Sequence, residues 1–391
     1  MGQTWNFFNL DKMEWAHPEG KYKLGCIIYA KQAFLVRSLA IPYPVPELAG
    51  YLANAPPPGP VAKKGLLSLP DEILDDILYC SGLSDAFDSV CLAITCKKLL
   101  TIAQGRVLRE ARDYSSAGWA MDRIVCLGDY VDLDNVPEGL LSPAQKSYIV
   151  EQAEARGWGL DELGYAGLAD IGTYAQQYRG LYYESVDFVM TLPMPDRRLF
   201  VAALAMTFPA RDDWALCNHS KHEFVRAGAL AELSGQPGAA QPFLQTCEAD
   251  LGTALFTRFC YSPDPSTALP NTSVKIHEGK WVGDRISIDT IERVKQRQPQ
   301  QEWTDVTDEV VADIEAIYRD EYDEDWEERL TKPHAPRSFE SFYFWHDDAD
   351  KVAAMLPSPE ELRRRELRRE EARVRAEEYT RMLRGLESDS D

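Results

Sequence analysis

Three side chains stand at a spacing that metal chemistry uses: Cys217-x-His219-x-x-His222 offers a thiolate and two imidazoles within a short stretch. No fourth ligand is evident. A related stretch near the start of the chain carries Phe8, Leu10 and Met13 at the matching positions, so a core role explains the pattern better than a metal site. The other chemical signatures are absent. No Gly-x-Gly-x-x-Gly, Gly-x-x-x-x-Gly-Lys-[Ser/Thr], Gly-x-Ser-x-Gly or His-Glu-x-x-His occurs, and carboxylates are so plentiful that proximity singles out no acid–base pair. Asp122 and Asp284 recur in a repeated segment and are read as turn and ion-pair residues, not catalysts. The expectation is a protein that is not an enzyme and holds no cofactor and no metal.

Composition narrows the classes further. The 391 residues carry 63 acidic against 42 basic side chains, a formal charge of −21. Affinity for nucleic acid or anionic lipid rests on Lys and Arg, so both partners are disfavoured. The eight cysteines (Cys26, Cys80, Cys91, Cys96, Cys126, Cys217, Cys247 and Cys260) form no Cys-x-x-Cys pair and read as small buried hydrophobes of a reducing compartment. Trp5, Asn6 and Asp11 interrupt any signal-peptide core, Asn6 replaces the Ser or Thr that myristoylation of Gly2 requires, and no stretch approaches the roughly 20 apolar residues of a membrane span. A cytoplasmic or nuclear protein follows, in which the sequons at Asn218 and Asn271 are inert.

The elements that would position these residues show an internal duplication. Trp5-x-x-x-Asn9-x-x-Lys12-x-Glu14-Trp15 returns as Trp214-x-x-x-Asn218-x-x-Lys221-x-Glu223-Phe224, and each is followed by Trp-x-x-Asp-Arg-Ile, at Trp119–Ile124 and Trp281–Ile286. Within each copy the two tryptophans are expected to pack on one another, and Leu141-Ser142 and Val306-Thr307 to cap helices. Trp5 and Trp119 are 114 residues apart, Trp214 and Trp281 only 67; a helical insert around 60 to 106 accounts for the surplus. The body extends over residues 1–60 and 107–200 (copy 1, with a Pro-rich linker) and 210–350 (copy 2). Between Glu302 and Asp350 lie 17 acidic and 4 basic residues, and the block Asp323–Glu328 around Trp326 reads as an exposed acidic turn or a patch for a basic protein. Phe339, Phe342, Tyr343, Phe344 and Trp345 read as a core-closing element, and residues 357–391 as a charged, solvated helix with an acidic tail. The fold class is therefore α+β: a duplicated mixed α/β body with a three-helix insert.

The insert, residues 66–105, has the clearest pattern. Ser68 suits an N-cap, Pro70 a first helical turn, and Asp71 and Glu72 complement the helix dipole. Ile73, Leu74, Ile77 and Leu78 give one apolar face, and two more short apolar runs follow. So small a unit buries little of its own surface and must pack its remaining face on something.

The run Leu69-Pro-Asp-Glu-Ile-Leu-x-x-Ile-Leu78, followed by Cys96-Lys97-Lys98-Leu99, resembles an F-box, the three-helix module by which substrate receptors hang from the Skp adaptor of SCF-type cullin–RING ubiquitin ligases. Leu99 or Leu100 stands where many F-boxes place a Trp. Gly2-Gln3-x-Trp5, Asn9-Leu10-Asp11-Lys12 and the Trp-x-x-Asp-Arg-Ile segments resemble F-box-like proteins of basidiomycete-type fungi, a resemblance that brings no activity with it. The likeness implies that Leu69, Pro70, Ile73, Leu74, Ile77 and Leu78 face the adaptor, that Leu83, Val90, Cys91 and Leu99 hold the helices together, and that the body recruits a target protein. The alternative is a scaffold or ligand-binding protein whose F-box-like helices pack internally; an enzyme with its site between the copies is the weakest reading.

Overall fold

In a computed structural model of the chain, the residues described are 3–16, 23–29, 33–43, 65–80, 86–104, 118–156, 173–174, 196, 199–200, 208–209, 211–239, 241–244, 246–270 and 273–333. They fall into a body (residues 1–44, 112–180 and 206–345) and a second unit (45–111, 181–205 and 346–391). The helices run, in chain order, α1 (Leu24–Ile28), α2 (Ala33–Leu39), α3 (Asp71–Cys80), α4 (Ala86–Ile94), α5 (Lys97–Ala103) and α6 (Pro143–Arg156). They continue with α7 (Ala227–Leu233), α8 (Leu251–Phe259), α9 (Ile291–Arg297), α10 (Thr307–Tyr322) and α11 (Trp326–Thr331).

The two repeated segments take matching strand registers in the body. β1 (Trp5–Asn9) lies antiparallel between β2 (Glu14–Ala16) and β3 (Ile124–Gly128), with Asn9 opposite Glu14 and Ile124. β5 (Trp214–Asn218) lies in the same way between β6 (Glu223–Arg226) and β8 (Ile286–Thr290), with Asn218 opposite Glu223 and Ile286. A two-residue parallel strand extends each sheet, β4 (Thr173–Tyr174) beside β2 and β9 (Thr304–Asp305) beside β6.

The repeated residues build the repeated turns. The Asn9 side-chain carbonyl accepts from the amides of Asp11 and Lys12, and that of Asn218 from Ser220 and Lys221, an Asx arrangement that fixes the hairpin. The Asn9 amide donates to Asp122 and the Asn218 amide to Asp284, both at 2.8 Å. The indole of Trp119 donates to Glu14 (2.7 Å) and that of Trp281 to Glu223 (2.6 Å). The two hairpins even share a left-handed residue, Met13 at φ 53° and His222 at φ 56°. Asn218 is fully buried in these bonds.

The copies share one core. Trp5, Trp119, Trp214 and Trp281 all enter the same buried cluster, with Phe7, Leu216, Phe256, Phe259 and Ile314. The repeated Trp-x-x-Asp-Arg-Ile segments meet across an approximate two-fold relation: Arg123 bridges Arg285, the Ile124 amide donates to Asp284 O, and the Ile286 amide donates to Asp122 O. Each copy also completes the other's sheet. α2 runs into Ala40, which bridges Ile288 of β8, while α8 runs into β7 (Cys260–Tyr261), which pairs parallel with Cys126 and Leu127 of β3.

Several expectations need correction or fall outside the described residues. Ser142 does cap α6, exchanging bonds with Gln145, but Thr307 is already helical and its hydroxyl accepts from the Arg226 amide. Cys126, Cys217, Cys247 and Cys260 are buried and Cys26, Cys91 and Cys96 half-buried. The Pro-rich passage beyond Tyr43, Asn271, the aromatic residues of 339–345 and the segment 357–391 expected as a charged helix lie outside the described residues.

Candidate functional site

The described residues of the second unit include a single turn of 3-10 helix, Leu66–Ser68, and α3, α4 and α5, which pack on one another. Gly65, at φ 104°, admits the chain to the turn in a conformation open to glycine. The Ser68 hydroxyl donates back to Gly65 O (2.6 Å), so it does not cap α3. Pro70 supplies the first helical acceptor, taking the Leu74 amide at 3.1 Å, and sits one position earlier than expected. Asp71 and Glu72 occupy the first turn, where the helix dipole favours negative charge.

α3 divides its apolar stripe. Leu74 and Leu78 are fully buried, as are Val90 and Ala93 of α4 and Leu100 and Ala103 of α5, with Leu99 nearly so. The Ser89 hydroxyl of α4 donates to Leu78 O at 2.8 Å. Ile73, about one helical position round, is 46 % exposed, and Leu66 is 40 % exposed. Pro70 is exposed; Leu69 and Ile77 are half-buried. Of the six residues expected to face a partner, then, Leu69, Pro70, Ile73 and Ile77 form an accessible strip, whereas Leu74 and Leu78 belong to the interior of the fold. Leu66 joins the strip although its sequence context gave no sign of it. Val90 and Leu99 are internal as expected, Cys91 is half-buried, and Leu83 lies outside the described residues.

A second cluster lies on the face of copy 2 that contains Cys217. His219 Nε2 is 2.7 Å from Ser287 Oγ, and the rings of His219 and His222 stand edge-on to Trp303 at 5.3 and 5.4 Å. Cys217 is paired in register with Ser287, and Asp289 is held by Arg297 (2.7 Å) and Arg293 (3.4 Å). Burial, aided by the charges of Arg297 and His222, pushes the His219 imidazole down to about 4, so it is neutral at pH 7. Burial likewise raises the Cys217 thiol, with the Asp289 charge adding to it. The corresponding positions of copy 1, Phe8, Leu10, Val125 and Leu127, form an apolar cluster closed by Ile149 of α6. Polar residues on this face are a property of the second copy alone. His219 bonds to Ser287 and Asp289 to its two arginines, and among the described residues no group of three or more His, Cys, Asp or Glu side chains is arranged to hold a metal ion.

The acidic block around Trp326 borders a concavity of about 980 Å³ lined by Pro270, Tyr322 and Asp323–Trp326. The aromatic faces there already carry cations of the same chain: Arg319 lies 4.9 Å over Trp326 and Arg329 5.3 Å over Tyr322. Half-buried, Trp326 packs against the shared core. No helix among the described residues is long and apolar enough to cross a membrane. No family model, no curated protein and no solved structure compared with the chain matches it.

Proposed function

We propose that the three-helix unit is an F-box-like docking module for the Skp adaptor of an SCF-type ubiquitin ligase, and that the duplicated body recruits a target protein. The chain itself catalyses nothing in this reading. It raises the effective concentration of target near a ubiquitin-conjugating enzyme held by the other subunits. One observation carries the reading: Ile73 (46 % exposed) and Leu66 (40 % exposed) flank Pro70, while Leu74, Leu78, Val90, Leu99 and Leu100 of the same helices are buried. Large aliphatic side chains grouped in this way suit insertion into a partner's groove. The competing scaffold reading draws on Leu74 and Leu78, whose burial narrows the partner-facing strip to one edge of α3.

The test is co-expression with a fungal Skp adaptor followed by gel filtration. The wild-type chain should elute as a one-to-one complex. Ile73→Asp should abolish it while leaving the thermal midpoint nearly unchanged, because close to half of the side chain replaced is already in water; loss of the isoleucine contact in the complex and the cost of desolvating the new carboxylate together weaken binding by at least about 30-fold. Pro70→Ala should weaken the complex less. No complex with the wild-type chain, or an undiminished one with Ile73→Asp, rejects the docking module in favour of the scaffold.

A further inference from the structure

The exposed strip comes from two pieces of chain with no continuous hydrogen-bond ladder between them. Leu66, Leu69 and Pro70 belong to the 3-10 turn and its exit, whereas Ile73 and Ile77 belong to α3. Within the turn the Ser68 and Leu69 amides donate to Gly65 O and Leu66 O, both at 3.1 Å, and the helical bonds begin only at the Leu74 amide. Leu69 is extended (φ −72°, ψ 151°), the conformation that a following proline imposes. The carbonyls of Leu67 and Leu69 thus face a side chain, whereas that of Pro70 already belongs to the helix.

Lys98 of α5 reaches that junction. Its ammonium donates to Leu67 O and Leu69 O, each at 3.2 Å, and pairs with Asp71 Oδ1 at 3.0 Å. A lysine has three N–H donors and no more. Here three acceptors on alternate residues, 67, 69 and 71, account for all of them, and the side chain is only 26 % exposed. The contacts span the end of the turn, the extended residue and the first residue of α3, so one cation from a third element ties together both halves of the strip.

Resting on the docking function proposed above, we infer that Lys98 is a positioning residue for the partner-facing strip: it sets Leu66, Leu69 and Pro70 in place relative to Ile73 and Ile77 so that a single adaptor groove meets them together. Lys98 touches no partner itself. The two carbonyl contacts do this work; the ion pair with Asp71, whose side chain is 69 % exposed, is screened and adds little.

Full-length Lys98→Met and Asp71→Asn variants test the inference through two readouts: affinity for the purified Skp adaptor by titration calorimetry, and amide hydrogen exchange in the free chain. Lys98→Met should bind about tenfold or more weakly, since hydrogen bonds from a charged donor are lost. Exchange should quicken at the Ser68 and Leu69 amides while Leu78 and Leu100 and the thermal midpoint stay as in the wild type. Asp71→Asn should bind within about twofold of the wild type. Equal binding by Lys98→Met, or faster exchange throughout α3 and α5, overturns the inference, the second because it makes Lys98 a general stabiliser. If the wild-type chain binds no adaptor, the docking function itself fails. The exchange arm still decides the positioning role, and unchanged Ser68 and Leu69 amides reject that as well.

Discussion

At the scale of single residues, the two copies act as each other's control. His219 and Ser287 form a buried polar pair where copy 1 has Leu10 and Val125. His219→Leu alone leaves the Ser287 hydroxyl, fully buried, without its partner, and should cost about 1–3 kcal/mol at pH 7. Adding Ser287→Val restores the pairing of apolar groups that copy 1 already packs, and should recover most of the loss; denaturant titration of the four chains measures the coupling. The pH dependence has a defined sign. The native imidazole titrates near 4 while the unfolded one titrates near its ordinary value of about 6.5, so the unfolded chain binds the extra proton between those limits. Stability contributed by neutral His219 is complete above about pH 6.5 and falls as the pH drops toward 4, by up to roughly 3 kcal/mol. His219→Leu/Ser287→Val should lack that slope. A wild-type profile flat from pH 6.5 to 4 contradicts the burial described for this ring.

At the scale of elements, α3 sorts two neighbouring aliphatic rows by a rotation of about 100° per residue. Leu74→Ala removes a fully buried side chain and should lower stability of the helical unit by about 2–5 kcal/mol, read as loss of exchange protection in α3 to α5. Its neighbour Ile73, substituted by Asp, leaves that protection intact. Sequence could show that residues 73, 74, 77 and 78 make an apolar face but not which row turns inward, because i, i+1, i+4, i+5 spacing is symmetric about its middle. The hairpins were far more legible. The Asn9 and Asn218 side chains each accept the amide three residues on, from Lys12 and Lys221, and Glu14 and Glu223 each accept from the Trp that opens the later repeated segment, so the turn's chemistry is written in the repeat itself. β4, β7 and β9 were not legible, since two residues carry no period and their partners lie far away in the chain. The polar face of copy 2 was glimpsed as Cys217, His219 and His222; Ser287 and Trp303, which bond or stack with those histidines, stand some 70 and 80 residues further on.

At the scale of the molecule, the shared core makes the two copies one cooperative body, and its charges make that body sensitive to acid. Glu309 is held below the usual carboxylate range by the hydrogen bond from Lys280 and, against burial, by Arg258. Asp11 is likewise held down: burial opposes, but Arg123 and Arg285, one from each copy, prevail. Asp313, the other partner of Arg258, moves upward through burial and works in the opposite sense. Depressed carboxyls stabilise above their unfolded values of about 4 and lose that contribution as the pH falls through their native values. Thermal melts followed by tryptophan emission should therefore show one body transition whose midpoint drops below about pH 4, and Asp11→Asn should flatten the drop; separate transitions for the two copies would rule out the common core. Ala40 of the first copy lies on β8 and β7 of the second lies on β3, so neither half closes its own sheet. Two separate chains exchanging strands in this way come apart on dilution. Joined in one polypeptide, the halves meet at a local concentration fixed by the chain that connects them, so the body is as complete at nanomolar as at millimolar protein, and a proteolytic cut in that connection would return the fold to mass action.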